Sequence, residues 1–260
     1  MKKFWLISLI LILSLGLFAE RKALLIGNAN YDGMTLASPI NDITAMEAAL
    51  GNWGFSVSKA QNLNLAQMNS TINTFISSIE AEDEVFFYYS GHGVFGGANY
   101  LVPAGLNLQN RQTFSQTAYP LAQLIPRLSV AKAAVLMLEA SRNWITAAGS
   151  TPKPFAAITT ADSLVSVLSA AQASTCVNLA NPPHSAFTQA FIAKFNQSTE
   201  SYNTTIQALQ TELRAVPSRP IDPWISPRPL KNDFLMNLQN QRFFFKGGAM
   251  DLEGGGSLSW

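Results

Sequence analysis

A histidine held between glycines, in Ser90-Gly91-His92-Gly93, directly follows the apolar run of residues 85–89. Forty-nine residues further on, Ser141 ends Leu138-Glu139-Ala140-Ser141, again just past an apolar run, residues 133–138. An imidazole titrates near neutrality and so suits proton transfer, and a hydroxyl brought beside it becomes a candidate nucleophile. On a glycine-flanked turn, backbone amides can also face a substrate. The competing reading of His92 is a residue that merely caps its strand. Other chemistry finds less support. Residues 91–96 match Gly-x-Gly-x-x-Gly after a strand, but an extended segment follows and no acid stands about twenty residues on, as a dinucleotide site requires. His184 precedes the helix start expected at Ser185 and reads as a surface or capping residue. Cys176 is the single cysteine, so neither an internal disulfide nor a Cys/His zinc cluster is expected, and it reads as a small core residue. Two histidines and sparse acids near the site imply no metal and no cofactor.

The elements that position these residues follow from hydrophobic period. Residues 22–28 form a short apolar strand, after which Asn41 or Asp42 is expected to cap a helix carrying Ile43, Met46, Leu50 and Trp53 on one face. A weaker strand over 55–60 precedes a helix capped by Asn64, with Leu65, Met68, Ile72 and Phe75 aligned. Strands follow over 85–89 and 133–138, each apolar throughout as a strand covered on both faces must be. Residues 100–103 read as an edge strand and 121–128 as a helix interrupted by Pro126. Residues 143–162 read as a loop and 164–170 as a strand. Helices fit 186–195 and 204–215, with a last strand near 234–238. Alternating strands and helices predict an α/β fold, a mostly parallel sheet with helices on both faces. Sites in such sheets form at the carboxyl ends of the strands, which selects residues 90–93 and 139–142.

Seventeen basic residues stand against sixteen acidic ones, and no basic stripe interleaves with aromatics, so no nucleic-acid partner is expected. Lys2 and Lys3 precede an apolar run over residues 4–18 that meets Ala19 and Glu20, a secretory signal pattern. Fifteen residues make a helix of about 22 Å, short of the roughly 30 Å hydrocarbon core. The expectation is a signal peptide over 1–19, export to a periplasm or the cell exterior, and no stable membrane insertion after cleavage. One domain is expected over residues 20–240, and a flexible glycine-rich tail over 241–260.

With both motifs in hand, the sequence resembles the caspase-like peptidases, most closely the bacterial members of the metacaspase group. In that clan a histidine lies about 50 residues upstream of the nucleophile. The segments 22–28 with Tyr31, 39–45 (PINDITA), 86–93 (FFYYSGHG), 99–103 (NYLVP) and 185–190 (SAFTQA) match family landmarks in family order. The resemblance implies a caspase-like, mostly parallel six-stranded sheet, with His92 and position 141 on adjacent strand ends. It further implies that carboxylates at positions 42 and 139 line a primary pocket for an arginine or lysine side chain. The competing readings are that Asp42 caps the first helix and that Glu139 pairs with Arg142 or another neighbour.

The family pattern departs at two positions: Ser141 stands where the catalytic cysteine belongs, and Glu139 where an aspartate does. A thiol with a pKa near 8.5 is partly ionised at neutral pH, whereas a serine hydroxyl needs a base oriented by a buried carboxylate. No acid occurs between Glu84 and Glu139, so such a carboxylate has to come from another segment. The leading expectation is a catalytically impaired pseudopeptidase that binds peptide or protein. The enzyme alternative is an endopeptidase cleaving after Arg or Lys, with Ser141 as nucleophile, His92 as base, and the amides of Gly93 and Ser141 as oxyanion donors. A third reading makes Ser141 an engineered trap in a cysteine peptidase.

Overall fold

The stretch Arg21–Gly27 (β1) is buried from Ala23 onward on both sides of the chain, as a central parallel strand must be. The computed structural model of the protein describes residues 19–107, 114–140, 154–158, 163–172, 183–215, 223–226 and 228–240. After β1 comes a small hairpin, β2 (Asn30–Tyr31) and β3 (Met34–Thr35), then helix α1 (Pro39–Asn52), β4 (Ser56–Gln61), α2 (Leu65–Ser77) and β5 (Glu84–Ser90). Three short strands, β6 (Gly93–Phe95), β7 (Asn99–Leu101) and β8 (Tyr119–Pro120), surround the short helix α3 (Phe114–Thr117) in sequence. Then follow α4 (Leu121–Leu128), β9 (Ala133–Glu139), β10 (Val165–Ser169), α5 (Ala186–Gln197), α6 (Tyr202–Ala215) and β11 (Trp224–Ile225).

Six of these strands form the main sheet in the order β11-β10-β9-β5-β1-β4. Its ladders are parallel except for β10 with β11. On one face, Met46 of α1, Trp53 just past its end, Phe191 and Phe195 of α5, and Tyr202 of α6 pack on Phe86 and Val135. On the other, Met68 and Ile72 of α2 and Leu124 of α4 pack on Phe87 and Leu136. Each such fully buried side chain contributes about 1.5–3 kcal/mol of transfer free energy, so the expected two-faced α/β sheet has a core on each side to support it.

Three details differ from the expectations. Helix α1 begins at Pro39 with Ser38 at its N-cap, so neither Asn41 nor Asp42 caps it. Proline at the first helical position is pre-set for the turn and has no amide to satisfy. Residues 99–101 pair with β6 and β8 in a separate three-stranded sheet rather than at an edge of the main one. Residues 234–238 form no strand. The carbonyls of Leu235 and Met236 instead face Arg21, whose guanidinium donates to Trp53 O (2.8 Å), Met236 O (3.0 Å) and Leu235 O, bonds to Glu84 (2.6 Å), and lies over the rings of Phe55 and Phe234. Among the described residues the last strand is β11, at the far edge of the sheet. By contrast, Asn64 caps α2 as expected, in a reciprocal capping box with Gln67. The signal segment up to residue 18, the tail from 241, Cys176, and most of the expected loop over 143–162 lie outside the described residues.

Candidate active site

Strand register decides which residues meet. In the parallel pairing of β5 with β9, Ser90 lies opposite Glu139, so the two motifs leave the sheet side by side. Backbone bonds continue past the strand ends: Gly91 N donates to Glu139 O (3.2 Å) and Gly93 N to Ala140 O (2.6 Å). His92 thus sits between two ties to the exit of β9. Ser141 is the next residue after Ala140 and, with Arg142, lies outside the described residues.

His92 is fully buried, and two phenols fix it. Its amide donates to the Tyr31 hydroxyl (2.8 Å), which in turn donates to Asn28 O (2.9 Å). Its carbonyl accepts from Val102 N (2.9 Å) and from the Tyr89 hydroxyl (3.0 Å), whose proton is shared with Val102 O (2.7 Å). The Tyr31 ring meets the imidazole edge-on, centroids 4.7 Å apart at 66°. A Cβ on Gly91 would lie 2.6 Å from each phenol oxygen, so only glycine admits both. Sequence reasoning saw Tyr31 as a family landmark but assigned it no part in the site. The signal was there in its fixed place after β1.

The two acids come from different elements, helix α1 and the end of β9. Asp42, in the first turn of α1, is fully buried. Its Oδ1 accepts from Ser185 N (2.8 Å), and its Oδ2 from the hydroxyls of Ser185 (2.6 Å) and Ser90 (3.0 Å). His184 Nδ1 stands 3.9 Å from Oδ1 at the rim, its ring partly exposed. One turn along α5, Thr188 Oγ1 donates to Glu139 Oε2 (3.3 Å) and accepts from Tyr88 (2.7 Å). Glu139 is 1% exposed. Ser90 therefore links the acids: it bonds one and lies across the ladder from the other. Ser185 is the N-cap residue of α5, but its hydroxyl serves Asp42 instead of the helix amides. The roles of Ser90, Ser185 and Thr188 were missed in the sequence because neutral hydroxyls carry no distinctive spacing. Among the described residues no cluster of three or more His, Cys, Asp or Glu side chains is arranged to hold a metal ion.

Comparison with known proteins places this arrangement. A family model described as a caspase domain matches residues 20–235. A search of curated proteins gives no match. Among solved structures, protein GSU0716 from Geobacter sulfurreducens aligns with a TM-score of 0.60 at 14% identity, covering 81% of this chain and 95% of that one. Caspase-1 from Spodoptera frugiperda aligns with a TM-score of 0.60 at 13% identity, covering 84% and 92%. At these identities the structural likeness speaks for the fold.

Proposed function

Since the chain belongs to the caspase domain family, we propose that it is a metacaspase-like member whose groove binds peptide or protein segments carrying arginine or lysine, with its own peptidase chemistry impaired. What supports this reading is Ser141, one residue past the Ala140 carbonyl that ties down Gly93, at the position where the family resemblance expects a cysteine. Removing the thiol removes the partly ionised nucleophile. The Gly93 amide, a donor that an oxyanion would need, is spent on Ala140 O at 2.6 Å. The recognition half of the site is better supported. Asp42 and Glu139 are both buried and held by hydroxyl and amide donors, and such a pair of carboxylates suits a guanidinium or ammonium group. For localisation, the reading is export behind a signal peptide cleaved after Ala19.

Fluorogenic peptides ending in Arg or Lys test this on the parent protein, His92→Ala and Ser141→Cys. Impairment requires parent hydrolysis no faster than His92→Ala, because general-base help of even ~10²-fold separates the two. Ser141→Cys is expected to gain activity, and Asp42→Asn with Glu139→Gln to abolish binding of an uncleaved Arg peptide. The competing reading, an endopeptidase working through Ser141 and His92, is favoured by the tight fixing of His92 on Tyr31. A parent rate that collapses on His92→Ala establishes it.

A further inference from the structure

The turn that carries His92 is not open to solvent. Phe155 is 2% exposed, and a Cβ built on Gly93 would collide with the tip of its ring while lying 3.1 Å from the Ala140 Cβ. The benzyl group thus rests on the bare backbone between the two motif ends. The next residue is held by a pair of bonds of the kind that fix a bound strand: Ala156 N donates to Asn99 Oδ1 (2.8 Å) and Asn99 Nδ2 donates to Ala156 O (3.0 Å). A carboxamide that reads both polar groups of one residue recognises backbone rather than side chain, so it accepts an extended segment of any sequence. Ile158 is buried two residues on. Beneath the segment a small cavity is lined by Phe155–Ile158 side chains together with Ser169, Ala171 and Trp224. The Ser169 hydroxyl there, at the carboxyl end of β10, is buried with no hydrogen-bond partner among the described residues. A buried polar group left unsatisfied is costly unless a water or another group meets it.

We infer that Gly93, Asn99 and Ala140 form a peptide subsite for an aromatic residue followed by a small one, and that residues 154–158 of the chain itself fill it as a tethered ligand. This rests on the peptide-binding reading above and names the regulation of that site. While Phe155 sits on Gly93, an external segment has to displace it. Apparent affinity falls by the fraction of time the subsite is free, so occupancy of 90–99% weakens external binding by about 10–100-fold. The backbone pair from Asn99 and the burial of Phe155 act together, and either substitution loosens the segment.

The test uses the full chain in a His184→Gln background, which leaves His92 the only histidine, and reads two signals. The first is the rate of His92 modification by diethyl pyrocarbonate, which needs no ligand. Phe155→Ala and, independently, Asn99→Ala are each expected to raise it about tenfold or more, following the freed fraction of the subsite. The second is binding of a labelled Pro-Phe-Ala-Ala-Ile peptide, expected to be at least about tenfold tighter in Phe155→Ala than in the parent, and lost when Asn99→Ala is added. His92 reactivity unchanged in both folded single variants overturns the inference. Faster modification without binding of that peptide by Phe155→Ala also overturns the subsite, while the Arg/Lys reading on which it builds is judged separately by the Arg peptide.

Discussion

Replacing Gly91 by alanine probes the scaffold of the site at its tightest point. The new Cβ would lie 2.6 Å from the hydroxyls of Tyr31 and Tyr89 and 2.9 Å from Tyr89 Cζ. Both rings are buried and packed, so neither can retreat without losing bonds. Tyr31 would have to release the His92 amide and Asn28 O, and Tyr89 would have to release Val102 O and His92 O. Overpacking costs about 1–3 kcal/mol, and one buried amide left unsatisfied costs about 1–3 kcal/mol more. We therefore expect Gly91→Ala to destabilise the fold by about 3 kcal/mol, which lowers Tm by roughly 6–12 °C in a domain of this size. Tyr31→Phe alone should cost about 1–2 kcal/mol, because it removes the acceptor of the His92 amide. In the double variant one of the two collisions is gone while the amide is lost only once. The paired cost should then fall short of the sum by about 1 kcal/mol or more. Urea denaturation of the four proteins closes the cycle. A Gly91→Ala cost below about 0.5 kcal/mol, or strict additivity, refutes the claim that the two phenols clamp the histidine turn.

Other consequences are more quickly stated. Burial opposes ionisation of Asp83, but Lys22 at 2.8 Å and the amides of Glu80 and Glu20 outweigh it and hold its carboxyl below the ordinary value of 3.8. Its contribution is thus present above that value and lost as pH falls through the lower folded one, so acid unfolding of the parent should show a downturn below about pH 4 that Asp83→Asn lacks. Arg21→Ala should cost about 3 kcal/mol or more, since it leaves Glu84 without its partner and frees the carbonyls of residues 235 and 236; a loss under about 1 kcal/mol in thermal denaturation contradicts that anchor. On the proposed reading, residues 143–162 offer a self-cleaving Arg/Lys-specific site only Lys153, and Pro154 follows it, so mass spectrometry of protein from its natural host should show one intact chain beginning near Glu20. Two stoichiometric fragments split between residues 143 and 162 would revive the active enzyme.

How far the sequence foretold this arrangement depends on the kind of signal each part left. The strands β1, β5 and β9 were legible because burial on both faces forces unbroken apolar runs, and a run of that length reads as a strand. Helix α2 was legible from a local cap, Asn64 with Gln67. Residues 234–238 misled because they are apolar for another reason: Phe234 and Met236 face the core while the neighbouring backbone wraps the Arg21 guanidinium. The edge strand β11 is two residues long, too short to show a period.

The site divides along the same line. His92 announced itself through its glycines, but what fixes it is tertiary: Tyr31, sixty-one residues away, takes its amide, and Tyr89 takes its carbonyl. Asp42 was ambiguous in the sequence because an acid in a first turn serves equally as cap or as pocket wall. The structure takes away the capping role alone, since Ser38 holds the N-cap place and the Asp42 carboxylate accepts from Ser90 and Ser185. That choice has a consequence for any ligand. A carboxylate spent on capping helix amides would be fixed to α1 alone, whereas this one ties α1, β5 and the start of α5 together. A cation entering beside it must share oxygens already accepting three hydrogen bonds at 2.6, 2.8 and 3.0 Å. On the pocket reading proposed above, Asp42 is the rigid member, and Glu139, one methylene longer than the aspartate the resemblance expects, is the member that reaches toward an incoming guanidinium. Shortening it by Glu139→Asp tests this division. Retraction by one methylene should weaken binding of an Arg peptide about tenfold while leaving the fold's stability within about 1 kcal/mol. Unchanged binding would mean that Glu139 is structural and that Asp42 alone reads the charge.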